Sequence, residues 1–419
     1  MDESLVMTKR RPHYAWIVLA MGTLVVFGSL GLARFGYSVV LPAMQESLGL
    51  DNTQAGLLAT ANLAGYLALS AIGGALASRY GPRAVISMGL LVAALGMICT
   101  GLAYRFGALL LWRFLTGLGS GASNVPVMGL LSAWFAARRR GFATGIGVAG
   151  SSIALILVGP LVPRILIMSP LFGWRISWFL FGGLTLLLAA GSALLLRNHP
   201  QDKGATPYGG SPDDPPHRSP GGGLHWGSIY RATPVWHLGA VYVAFGFSYI
   251  VYTTFFAKYL IAGGGYTSQA AGRLFMVMGW FSLLCGLIWG SISDRIGRKG
   301  ALIIVYLIHA VAFGLFALWP VPTGFTLSAI LFGLTAWSIP AIMAATCGDV
   351  LGARLAPAAL GFITLFFGTG QAIGPSMAGA IADVSGSFAP AFLLAAGVAA
   401  LGAIGAALLR PASTAVQEE

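Results

Sequence analysis

Charge is the first thing this chain lacks. Only 9% of its 419 residues are Asp, Glu, Lys or Arg, against about a quarter in a soluble domain, which excludes a water-soluble globule. Cysteine is equally scarce. Cys99, Cys285 and Cys347 all fall inside apolar runs, with no CxxC pair and no Cys/His ligand spacing, so neither a disulfide framework nor a zinc site is expected. No HExxH, GxSxG or P-loop occurs, which leaves no recognisable enzyme or ATP-driven pump and no expected cofactor. The twelve acids are Asp2, Glu3, Glu46, Asp51, Asp202, Asp213, Asp214, Asp294, Asp349, Asp383, Glu418 and Glu419. Each falls in a tail, a loop or a helix end.

What is present is apolar sequence: 57% of the residues are hydrophobic, in runs longer than the about 18 residues that mark a membrane-spanning helix. Barrel strands would alternate over about ten residues, whereas stretches such as Ala301 to Trp319 are continuously apolar. The expected fold class is an all-α polytopic membrane protein with 12 spans, at about 14–42, 53–75, 84–104, 107–133, 142–165, 174–196, 234–261, 269–292, 300–319, 323–346, 358–382 and 387–409. Lys9-Arg10-Arg11 ahead of an apolar run has a signal-like look, but the run is too long for one and should remain as the first span.

An even number of spans puts both termini on one side. Placing them in the cytoplasm puts 17 of the 24 basic residues inside, among them Arg79, Arg83, Arg138 to Arg140, Arg295, Arg298 and Lys299, as the positive-inside rule requires. The net charge of +12 is then a topology signal, and no nucleic-acid partner is needed to explain it.

The expected organisation is a cytoplasmic tail at 1–13, a six-helix half at 14–196, a linker at 197–233, a second half at 234–409 and a cytoplasmic tail at 410–419. The linker is rich in Pro, Gly, Asp and His, a composition that buries too little apolar surface to fold. The halves repeat at a constant offset. Gly74, Arg79 and Gly81 fall onto Gly290, Arg295 and Gly297, 216 residues later, and the same shift carries Gly56 onto Gly272, Gly117 onto Gly333 and Gly145 onto Gly361. Gly159-Pro160 meets Gly374-Pro375 at a shift of 215. Such a parallel 6+6 repeat places a substrate site near the bilayer midplane where the halves meet.

Gly290-Ser-Ile-Ser-Asp294-Arg295-Ile-Gly297-Arg298-Lys299 resembles the GxLxDRxGRK loop of the major facilitator superfamily, and the resemblance extends over essentially the whole chain. It implies a latch at the cytoplasmic helix ends; the first-half copy has Ser78 in place of the acid. Arg113 to Gly121 resembles the superfamily's RxxxGxxxG pattern, and the two Gly-Pro pairs resemble its fifth-span motif, implying helix bends that act in gating. Trp134 to Ser151 is similar to the fourth-to-fifth-span signature of monocarboxylate porters and oxalate/formate antiporters. Their acid or arginine low in span eight has no counterpart in Ser282 to Trp289.

Charge balance points to the substrate. An arginine in the bilayer interior costs at least ~2.5–3.5 kcal/mol and therefore faces a cavity or a partner. Arg34 lies deep in span one and Arg113 in span four, neither with an obvious carboxylate, and a guanidinium suits a carboxylate ligand. Two roles are open to each: substrate binding, or a structural post that snorkels or bonds backbone carbonyls. Tyr37, one turn from Arg34, and Asn124, near Pro126, are candidate polar contacts, while Tyr249, Tyr252 and Trp337 are candidate aromatic walls, each open to a packing role instead.

The expected activity is secondary active or facilitative transport of a small organic anion, a monocarboxylate, by alternating access, with a proton or counter-anion as candidate co-substrate. The alternative is efflux of a hydrophobic drug or other small molecule, which predicts an acid in the cavity. The resemblance implies a monomer in a bacterial inner membrane.

Overall fold

The computed structural model describes residues 13–210 and 232–409. The first twelve residues, linker positions 211–231 and the tail from 410 lie outside the described residues, and with them Lys9 to Arg11, Arg218 and Arg231.

The described chain is helical throughout apart from an isolated β-bridge. We number the helices α1 Ala15–Leu48, α2 Asn52–Tyr80, α3 Pro82–Leu102, α4 Phe106–Trp134, α5 Ala137–Met168, α6 Gly173–Leu195, α7 Thr233–Ala262, α8 Ser268–Ile296, α9 Arg298–Leu318, α10 Pro322–Thr335, α11 Ser338–Ser385 and α12 Ala389–Ala407. Their starts follow local chemistry. Asp51 and Gln54 form a capping box on α2, with Gln54 N–H donating to Asp51 at 2.6 Å, which satisfies end groups that lack a helical partner.

One expectation fails here. A loop was expected between spans ten and eleven, but α11 runs unbroken for 48 residues, about 72 Å at 1.5 Å per residue and far more than one bilayer crossing. Pro322–Asp349 forms one apolar span, crossing the α10–α11 junction, and the rest of α11 is long enough for a further crossing.

Helices α1 to α6 form one bundle, with α2 on α4 and α3 on α4 and α6; α7 to α12 form the other, with α7 on α11 and α12, α9 on α12 and α8 on α10. The repeat is visible in the backbone. Alpha2 bends by 49° between Ser70 and Ile72, and α8 by 42° between Gly286 and Ile288, again 216 positions apart. Gly81 and Gly297 both take positive φ, 85° and 82°, in the tight turns after those helices, where a side chain is strained.

The bundles meet along α2 with α11, α5 with α8, and α1 with α7. At the face opposite the termini they touch closely: a methyl group on Gly56 would overlap the Pro375 carbonyl, and one on Gly159 would overlap that of Gly272. Small residues permit this approach where no hydrophobic effect drives helices together. Toward the termini face the same four helices part, for a methyl on Gly74, Gly145, Gly290 or Gly361 would meet open space. The bundles are closed at one face and open at the other.

A clasp marks the closed rim. Asp383, exposed near the end of α11, accepts from the backbone N–H groups of Asn52 and Thr53 at 3.0 and 2.7 Å and from Thr53 Oγ1 at 2.5 Å. Its carboxylate thus caps the N-terminus of α2 from the other bundle, where the helix dipole favours negative charge. Deeper in, Thr60 Oγ1 donates to the Ala372 carbonyl at 2.7 Å.

The first part of the linker is ordered, contrary to its composition. Pro200–Lys203 forms a 3₁₀ turn, and Tyr208 exchanges backbone hydrogen bonds with Trp134 and Ala136 while its ring packs edge-on against Trp16 and Phe135. One aromatic side chain supplies the apolar area that the surrounding sequence lacks.

Candidate functional site

Alpha1 is not a uniform helix. Phe27–Phe35 is a π-helical stretch of nine residues, Phe-Gly-Ser-Leu-Gly-Leu-Ala-Arg-Phe. Glycine destabilises an α-helix, and Gly28 and Gly31 lie in this segment. Wide π turns recur at functional sites, and this one carries Arg34 to the seam between the bundles.

Arg34 Nη1 donates to the Tyr249 hydroxyl of α7 at 3.3 Å, and its guanidinium carbon stands 4.3 Å from the ring centroid of Tyr66 on α2. Arg34 Nε and Nη2 are buried with no hydrogen-bond partner, although unmade hydrogen bonds cost about 1–3 kcal/mol and more for charged groups. Asn124 of α4 donates through Nδ2 to the Tyr66 hydroxyl at 2.9 Å. Gln371 of α11 donates to Tyr249 from the other side.

Trp337, between α10 and α11, closes the group. Its ring lies 5.3 Å from that of Phe35 and 6.5 Å from that of Tyr249, and its Nε1 donates to Ser152 Oγ of α5 at 3.0 Å. Ser282 of α8 also donates to Ser152 Oγ, at 2.7 Å. Tyr249 is held flat by stacking on Phe245 and Phe367. The donors and rings come from both bundles, so this group spans the seam. Among the described residues no acid stands with this group: Glu46, Asp51 and Asp383 lie toward the closed rim, Asp202 in the linker, and Asp294 and Asp349, the latter inside α11, beside Arg298 at the open face, and no cluster of three or more His, Cys, Asp or Glu is suited to a metal.

Arg34, Asn124, Tyr249 and Trp337 are thus brought together, but three other sequence candidates are not. Arg113 is buried inside the first bundle, donating to the Ala33 carbonyl at 2.8 Å with its guanidinium over the rings of Tyr37 and Trp178. Tyr37 is turned into the same bundle, its hydroxyl donating to the Ala55 carbonyl at 2.7 Å. Tyr252 is buried in the second bundle, 2.8 Å from Ser328 Oγ and surrounded by Phe313, Phe316 and Phe332. Each of these three has a partner within its own bundle, although Arg113 Nε is buried without one.

Tyr66, Gln371 and Ser152 stand in contact with these residues and were not among the sequence candidates. None carries a formal charge, and only the internal repeat, by locating the seam helices, gave an indirect signal for them.

The motif residues divide by face. Gly159 and the Pro375 carbonyl form the closed seam, and α5 and α11 are helical through Pro160 and the Gly374-Pro375 pair. At the open face, Arg298 pairs with Asp294 at 2.6 Å and Asp349 at 3.4 Å, all within one bundle. In the first-half copy, Arg79 lies over the Tyr80 ring, and Ser78 Oγ donates back to the Gly74 carbonyl. Arg295 is exposed. Among the described residues no hydrogen bond joins the two bundles at this face.

Comparison with known proteins agrees with this architecture. The family model "Major Facilitator Superfamily" matches residues 23–352 and 264–419. A hexuronate transporter of Bacillus subtilis (strain 168) is 25% identical over 382 residues, covering 88% of each chain. Human monocarboxylate transporter 11 is 28% identical, over 91% of this chain and 80% of that one. A probable sulfoacetate transporter, SauU, of Cupriavidus necator is 24% identical over 97% and 96%. Among solved structures, the nucleoside transporter NupG superposes with a TM-score of 0.74 at 13% identity, over 94% of this chain and 99% of that one. A bacterial homologue of the human lysosomal transporter Spinster, inward-facing and unoccupied, gives 0.69 at 18%, over 95% and 96%. With two six-helix bundles and a family match over nearly its whole length, the chain belongs to the Major Facilitator Superfamily and is a multi-pass membrane transporter of small organic substrates, not an enzyme.

Proposed function

We propose that the chain carries a small organic anion, a carboxylate, across a bacterial inner membrane by alternating access, with both termini in the cytoplasm. The observation that carries this reading is Arg34: a guanidinium with two buried, unpartnered nitrogens, at the seam of both bundles, with no carboxylate in reach. A buried charge in lipid is costly unless compensated. A carboxylate arriving there supplies the missing acceptors in the planar geometry that a guanidinium fits. The relatives named for hexuronate, monocarboxylate and sulfoacetate transport are all named for anions, which supports the same class.

With the termini inside, the open face is the cytoplasmic one, so this conformation faces inward. Anion binding removes the electrostatic cost of closing the bundles around Arg34, and the ligand's differential affinity for the closed state drives the switch. The drug-efflux alternative needs an acid in the site to hold a cation, and none of the described acids lies there.

The test is uptake of labelled small carboxylates into proteoliposomes by the wild type and by Arg34→Gln. Saturable uptake should vanish in the variant while the protein stays folded in the membrane; uptake at the wild-type rate would refute the charge argument.

A further inference from the structure

The Asn124 amide is half used. Its Nδ2 donates to the Tyr66 hydroxyl, while its Oδ1 is buried with no partner. One turn along α2 from Tyr66, Ser70 Oγ is also buried and unpartnered. Ser70 packs against Gly121, which lies one turn before Asn124 on α4. Two polar atoms lacking partners therefore lie on the packed faces of α2 and α4 within one turn of the Tyr66–Asn124 bond, and Tyr66, whose ring face carries the Arg34 guanidinium, links Asn124 to the charge.

We propose that Asn124 recognises a hydroxyl of the substrate, so that the transported class is hydroxylated carboxylates and not plain alkyl acids. This rests on the reading of Arg34 as the carboxylate site. The chemistry follows from the amide. Whichever way it is turned, one of its ends engages the Tyr66 hydroxyl and the other end is left over. A hydroxyl both donates and accepts, so it satisfies that remaining end in either orientation. A hydrocarbon chain in its place leaves a buried polar atom unpaired, which is how a site built for a hydroxyl rejects the analogue without one. Asn124 stands one phenol ring away from the guanidinium, so carboxylate and hydroxyl belong to one small molecule laid along Tyr66.

The experiment is calorimetric titration of the purified full-length protein with two matched pairs, lactate against propionate and gluconate against hexanoate. Wild type should bind the hydroxylated member of at least one pair about tenfold or more tighter. In Asn124→Leu that ratio should fall to near one. Asn124→Ser, a milder change that keeps a hydroxyl donor and acceptor, should retain part of the preference and guards against a misfolded leucine variant. A ratio near one in the wild type, or a preference that survives in Asn124→Leu, overturns the assignment of Asn124 alone. If none of the four acids binds, the anion reading of Arg34 falls and this inference falls with it.

Discussion

The clasp at the closed rim allows a quantitative test of how the two bundles are held. Three hydrogen bonds from the start of α2 converge on Asp383. A cap of this kind is worth about 0.5–2 kcal/mol, and a negative charge at a helix N-terminus adds about 0.3–1 kcal/mol at an exposed position. Asp383→Ala removes both, so the closed rim should lose about 2 kcal/mol relative to the open one, a factor of roughly thirty in the population ratio. Asp383→Asn keeps an acceptor but not the charge and should lose about half of that.

Spin labels at Ser47 and Val384, exposed on opposite bundles at this rim, on a background lacking Cys99, Cys285 and Cys347, would read the population as a distance distribution. The pH dependence carries its own sign. Desolvation raises the Asp383 carboxyl, but the hydrogen bonds from Thr53 and Asn52 outweigh it and hold the group below its ordinary 3.8. The clasp therefore contributes in full above that value and is lost as pH falls below it, so the wild-type distribution should be constant from pH 8 to pH 5. An unchanged distribution in Asp383→Ala, or a wild-type transition near neutral pH, would refute the reasoning.

Other consequences can be checked separately. Gly56→Val puts a branched side chain into the Pro375 carbonyl; the closed rim should be disrupted and transport lost, while circular dichroism shows an intact fold. Arg113→Met removes the donor to Ala33 and the contacts with Tyr37 and Trp178, so thermal stability should drop while residual transport keeps the wild-type KM; a raised KM would place Arg113 in the site. Tyr208→Ala should release the start of the linker and move limited proteolysis upstream of residue 210, as read by mass spectrometry.

Fold and site were legible to different degrees, for physical reasons. Lipid forces each span to satisfy its own backbone, so apolar runs translate directly into helices, and the 216-residue offset between Gly81 and Gly297 reports equivalent turns. The run from Cys347 to Pro357 looked like a loop because its polarity rises and it holds Gly348, Gly352 and Pro357, yet α11 continues through it. Arg34 was legible because an unpaired charge in lipid demands an explanation. Tyr37 was misplaced because a spacing of three residues shares a face only in an α-helix, and the π turn ahead of it alters that phase. Tyr252 was misplaced because α7 is enclosed nearly all round, with 89% of its most apolar window buried. Such a helix has no polar stripe to show which side fronts the substrate.

The π segment in α1 also makes chain length at that point a determinant of chemistry. A π turn closes its hydrogen bonds over five residues instead of four, the equivalent of an inserted residue. Each residue of an α-helix advances about 100° around the axis. Were the segment from Phe27 to Leu32 to regularise at unchanged length, Arg34 would swing about a quarter-turn away from Tyr249 with its side chain intact, whereas deleting one residue there would return it to about the same wall. A relative that carries the same arginine on a regular first helix would present it to a different wall, so alignment of that one residue is a poor guide to shared specificity unless the register of the helix before it is compared as well.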